Sequence, residues 1–181
     1  LYTVALAGAG SFAWQGTATF IPTFFGAQYG FSPTLAGSLL SVFFVTLTIA
    51  TPVSGSLSDS ISRDGTAGLL FVVAIGGYSL LLAGVDGGLP TAVAGTLLVG
   101  VGMSWPAALE SRMLDQFETG ERGAGFGLAR GLYLLVGAGG SAGVGALADV
   151  AGWPTAFGAL FGLLALCVIG VGANRLLNLG L

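Results

Sequence analysis

Residues 1–59, LYTVALAGAGSFAWQGTATFIPTFFGAQYGFSPTLAGSLLSVFFVTLTIATPVSGSLSD, carry no charged side chain before the last of them, Asp59. A soluble domain has about 25% charged residues. The whole of this chain has 7%, against 54% hydrophobic, and its mean hydropathy is +0.93. A helix needs roughly 20 apolar residues to cross about 30 Å of hydrocarbon, so the stretch suits two consecutive spans. In lipid the backbone must satisfy its own hydrogen bonds, which leaves helices or a closed barrel. The apolar runs here are continuous rather than alternating, and that selects helices. The expected fold class is an all-α membrane protein.

Outward from that stretch, six transmembrane helices are expected. The first covers residues 1–25. Ser32 and Pro33 suit an N-cap and a first helical residue, so the second runs from Pro33 to about Leu57, with a kink expected at Pro52. A polar loop, Ser58 to Gly65, precedes the third span, Thr66 to Val85. The fourth is Pro90 to Leu109, interrupted by Ser104, Trp105 and Pro106. Glu110 to Arg122 reads as a short surface helix. The fifth span is Gly123 to Val150 and the sixth Pro154 to Ala173.

The basic residues fit this count. Lysine is absent, and the five arginines are Arg63, Arg112, Arg122, Arg130 and Arg175. All fall on one side of the expected membrane and none on the other. The positive-inside rule makes that side cytoplasmic, with both termini there.

Composition removes several functions. Histidine is absent and cysteine occurs once, as Cys167. Ser-His and Cys-His catalysis, His-ligated zinc and an intrachain disulfide therefore have no residues to build them. No enzyme activity and no cofactor is expected, and Cys167 reads as a small apolar residue. Basic residues are too few for nucleic acid. The chain begins at Leu1 with no Met and no basic segment before its apolar run, so it does not read as a signal peptide. It is expected to be part of a longer protein.

Gly55-Ser-Leu-Ser-Asp59 recurs as Gly145-Ala-Leu-Ala-Asp149, an offset of 145 − 55 = 90 residues. One copy ends span two on the cytoplasmic side, the other ends span five on the outer side. Residues 1–88 and 89–181 are therefore expected to be two inverted three-helix repeats, an organisation common in secondary transporters.

Residues 31–65, FSPTLAGSLLSVFFVTLTIATPVSGSLSDSISRDG, resemble the second helix and following loop of a major facilitator superfamily half. In the loop pattern Gly-x-Leu-x-Asp-Arg-x-Gly-Arg, the residues Gly55, Leu57, Asp59 and Arg63 match. Ser60 and Ser62 depart from it. Residues 121–160, ERGAGFGLARGLYLLVGAGGSAGVGALADVAGWPTAFGAL, resemble the fifth helix of such a half and its exit. The resemblance implies a six-helix half-domain over residues 1–181 of a twelve-helix transporter of small solutes, working by alternating access in a prokaryotic plasma membrane. Its partners would be the lipid bilayer, the other half and the solute, with H+ or Na+ as candidate coupling ions. The C-terminal half is favoured, because the arginine of N-terminal halves has no counterpart between Pro90 and Leu109.

The resemblance also assigns roles. Asp59 would engage a helix of the opposite half when one face closes, with Gly55 allowing close approach; an ordinary solvated pair with Arg63 is the alternative. Helices one, two, four and five would line the pathway, which makes Trp14, Gln15, Trp105 and Tyr133 cavity candidates. Core packing or an interfacial belt would also explain the aromatic ones. Arg130 would snorkel, pair with Glu110 or Asp115, or hold an anionic substrate. Tyr78 reads as peripheral. No carboxylate is placed at mid-membrane, so no proton carrier is expected in this half. The small residues Gly123, Gly127 and Gly131, then Gly137, Ser141 and Gly145, suit tight helix packing.

Two other readings compete. A self-contained six-helix channel of the aquaporin type needs Asn-Pro-Ala half-helices, and the asparagines here are Asn174 and Asn178, in the tail. A small transporter working as a dimer would rebuild twelve spans from two copies.

Overall fold

The computed structural model describes residues 1–177; Asn178, and with it the end of the expected 1–181 half-domain, lies outside them. The described residues form seven α-helices, a short 3-10 turn at Val85–Gly87 and no strand. These are α1 (Tyr2–Tyr29), α2 (Pro33–Ser60), α3 (Arg63–Ala83), α4 (Gly88–Gly102), α5 (Pro106–Asp115), α6 (Arg122–Ala151) and α7 (Trp153–Leu176). α4 and α5 are the two parts of one span, Val85–Asp115. The expectation of six spans therefore maps onto seven helices.

Local chemistry places the joints. Gly30, at φ 66°, ends α1 in the left-handed region that glycine enters without penalty. Ser32 then accepts the Leu35 N–H at 3.3 Å and Pro33 opens α2. Ser62 accepts the Gly65 N–H at 3.0 Å and caps α3. α6 and α7 meet at the single residue Gly152, φ 83°.

Several boundaries differ from the sequence expectation. α1 runs to Tyr29 rather than residue 25. The loop expected over Ser58–Gly65 shrinks to Ile61 and Ser62, because the Ser62 cap starts α3 at Arg63. The charged segment Glu110–Arg122 is not a separate surface helix. Its first part is the end of α5, and its last residue begins α6.

Five rods are long and apolar enough to cross a membrane: α2, α3, Val85–Asp115, α6 and α7. α1 is as long as α2, at 28 residues, but it carries Thr3, Ser11, Gln15, Thr17, Thr19 and Thr23. α1 packs against α2, α5, α6 and α7, and two of these polar groups, Thr3 and Thr17, have protein partners, while Thr19 and Thr23 are exposed. Thr17 donates to the Ala13 carbonyl at 2.7 Å and in turn accepts the Tyr78 hydroxyl at 2.5 Å. Tyr78 is fully buried between α1 and α3.

α1 packs along α6 with the backbones almost in contact. A Cβ on Gly140 would lie 2.3 Å from the Phe12 carbonyl oxygen, and one on Gly137 2.0 Å from Ser11 Oγ. Lipid gives helices no hydrophobic reason to associate, so small residues that bring many atoms into van der Waals range supply the attraction. The aromatic layer of Phe24, Phe25, Tyr29 and Phe157 fills the core at the Tyr29 end, with Phe24 and Phe157 stacked at 4.1 Å.

Candidate functional site

α4 stops at Gly102 and α5 restarts at Pro106. The ring of Pro106 has no N–H to offer and would obstruct a continuous helix. The break is held in place: the Ser54 and Ser104 hydroxyls bond at 2.5 Å, tying α2 to the joint. Trp105 is 2% exposed, with its ring against Phe71 and, edge-on at 6.0 Å, against Tyr133.

Beyond the break lies a cavity of about 260 Å³ between α1, α5 and α6. Trp14 and Ser11 line it from α1, Trp105, Pro106 and Glu110 from the break and α5, and Arg130, Tyr133 and Leu134 from α6. Arg130 and Tyr133 are three residues apart and so share one helix face. The Tyr133 hydroxyl donates to Glu110 Oε1. The Arg130 guanidinium lies 3.5 Å from the same oxygen and 5.8 Å from the centre of the Phe126 ring, and its side chain is half exposed.

Four of the five expected cavity residues, Trp14, Trp105, Arg130 and Tyr133, thus border one space. Gln15 is half-buried and does not line it. The sequence offers Glu110 as one pairing partner of Arg130 but assigns it to a surface segment, with no carboxylate in the membrane; α5 carries it into the cavity instead. The signal that would have found it is Pro106: a helix restarting there places Glu110 one turn in, on the same face.

A larger groove of about 500 Å³ runs between α2, α3 and α4, bordered by Ile49, Val53, Leu57, Leu69 and Leu97 among others. No charged residue lines it. Volume alone does not select a site, and this surface offers nothing that distinguishes one solute from another.

The loop-motif residues sit at the arginine-bearing end. Arg63 pairs with Asp59, donates to Ser58 Oγ at 3.0 Å and approaches Asp115 at 3.2 Å, joining α2, α3 and α5. Both acidic partners are exposed, so these pairs are worth about 0–1 kcal/mol. Arg112 pairs with Asp64 in a more enclosed position, with side chains 15% and 16% exposed, and lies over the Tyr2 ring at 5.5 Å. Gly55 meets only Ala107, where a Cβ would stand 3.9 Å off.

The small residues of α6 divide. Gly137 and Gly145 face α1, against Ser11 and Phe20, and Ser141 is half-buried. A Cβ on Gly123, Gly127 or Gly131 would meet nothing within 4 Å. Gly140 and Gly143, both against Phe12, were missed. They lie three and six residues after Gly137, and the four-residue rule passes over them.

The sequence profile of the Major Facilitator Superfamily matches residues 3–176. Among solved structures, the crystal structure of the POT family transporter PepTSo superposes with a TM-score of 0.79 at 17% identity, covering 96% of this chain and 36% of that one. A crystal structure of the peptide transporter POT in complex with sulfate superposes with a TM-score of 0.83 at 17% identity, covering 96% of this chain and 37% of that one. The chain thus spans little more than a third of the length of either. No curated protein matches it.

Proposed function

This chain belongs to the Major Facilitator Superfamily, and from that premise we propose that it is one six-helix half of a twelve-helix secondary transporter that moves a small solute by alternating access. The observation that carries the reading is the cavity at the α4–α5 break, where two indoles, a phenol, a guanidinium and a carboxylate border one space inside an otherwise apolar body. A binding site near the membrane interior, beside a discontinuous helix, is the arrangement that alternating access uses.

The second half would complete the cavity on its open side. α2 and α6 suit the contact with it, since each buries only 17% of its most apolar window within this body, against 61% for Val85–Asp115. Gly123, Gly127 and Gly131 would then pack against the other half. Asp59 would meet a helix of that half as one face closes. Residues 1–88 and 89–181 would be inverted repeats. Their matching pentads end at Asp59 and Asp149, within two residues of the ends of α2 and α6. The arginine-bearing end, with both chain ends, would be cytoplasmic in a prokaryotic plasma membrane.

The test is accessibility of the cavity from the two sides. Cys167 is replaced by Ala, Leu134 by Cys, and the protein is reconstituted in sealed vesicles of known orientation. Alternating access requires a membrane-impermeant maleimide to label position 134 from either face. Labelling from one face alone would overturn it.

A further inference from the structure

The hydrogen-bonding capacity left open at the cavity is chiefly the guanidinium of Arg130, a donor, and this bears on what the site takes if the transporter reading above is right. Arg130 makes no hydrogen bond to protein among the described residues. Its contact to Glu110, at 3.5 Å, is longer than the about 2.7–2.9 Å of a charge-assisted bond. A guanidinium presents five N–H donors in a planar fork that matches a carboxylate. Trp105 borders the cavity with its ring, while its indole N–H is buried against Gly10 of α1 and is not offered to a ligand. Glu110 is the one acidic side chain at the cavity, and its Oε1 already receives the Tyr133 hydroxyl.

We infer that the cavity takes a monoanion: a planar carboxylate on an apolar body, with the carboxylate on the Arg130 fork and the body against Trp14, Trp105 and Leu134. A dianion such as a phosphate would need a second cation, and among the described residues Arg130 is the only cationic one that lines the space. A cationic ligand would have Glu110 to approach, but would lie against the guanidinium that already neighbours that carboxylate. α1 contributes no charge. On α5, Arg112 is engaged with Asp64, and Asp115 with Arg63. The charge that opposes the anion is therefore Glu110 itself, and neutralising it strengthens binding.

The test is equilibrium binding to the protein in phosphatidylcholine nanodiscs, with phenylacetate, phenethylamine and 2-phenylethanol as three probes of similar shape. Phenylacetate is expected to bind at least about ten-fold more tightly than the others, and R130Q to lose about ten-fold or more, the scale of a hydrogen bond to a charged group. R130K keeps the charge without the fork and should fall between. E110Q removes a repelling charge and should tighten phenylacetate about five-fold. Circular dichroism confirms that each variant is folded. Tighter binding of the amine, an unchanged R130Q, or no phenylacetate binding would overturn the inference. The thiol-labelling result is independent of these outcomes. Labelling from both faces without carboxylate preference leaves the transporter reading standing and removes this one. Carboxylate preference with one-sided labelling does the reverse.

Discussion

The two arms of α6 carry the same kind of sequence and have different surroundings. Gly137 to Gly145 lies against α1, so closely that a methyl group at Gly140 would overlap the Phe12 carbonyl. Gly123 to Gly131 is just as rich in glycine, yet an added Cβ at Gly123, Gly127 or Gly131 meets nothing. The difference shows what a small-residue repeat encodes. It permits close approach but does not say to what, because van der Waals packing needs a partner surface that the repeat itself does not specify.

The largest effect should come from the packed arm. Gly140→Val forces branched atoms into a backbone carbonyl that has nowhere to move, and about 3 kcal/mol of stability should be lost. Unfolding in mixed micelles followed by circular dichroism measures it; a near-neutral result would mean that α1 and α6 are not in contact. Tyr133→Phe, between the two arms, removes one hydrogen bond to Glu110 and should cost about 2 kcal/mol. The same unfolding assay reads this, and an unchanged stability would mean that Tyr133 does not bond Glu110.

Gly16→Ala sharpens the comparison from the α1 side. Its Cβ would stand 2.6 Å from a Val144 methyl, a side chain that can yield, so about 1 kcal/mol is expected. Gly127→Ala should have the smallest effect and the opposite sign. With no clash to relieve, the gain in helix propensity stabilises the six-helix body by up to about 1 kcal/mol. Gly131→Leu then separates stability from function: unchanged unfolding together with lost solute flux in vesicles is expected if this arm meets the second half. Unchanged flux would show that it faces lipid.

How far the sequence could be read depended on whether a feature was local. The spans, the Ser32-Pro33 start of α2, and the gathering of arginines at one end all follow from hydropathy, capping and charge within a few residues. The gathering is visible in the contacts of Arg63 and Arg112 and in the approach of Arg175 to Gly65. Four cavity residues were reachable because aromatic and charged side chains are rare enough in this chain to be singled out. Glu110 was missed because its place depends on which way the chain continues after Pro106. As the start of a surface helix, the segment would point it at water; as the second part of a broken span, it points into the cavity. The burial of Tyr78 was not legible for a similar reason. Its partner Thr17 lies 61 residues away, and nothing in either local sequence links them.

The sequence by itself determined the solvent, the helical class, the spans and the charged end, since each depends on the composition of contiguous segments and on the cost of leaving polar groups in hydrocarbon. Only the tertiary structure decided which arm of α6 is packed, that α1 packs against four other helices despite its polar residues, and that Glu110 meets Arg130 and Tyr133. Those outcomes depend on side chains from separate helices sharing one space, and the energy that selects them exists only once the helices have packed.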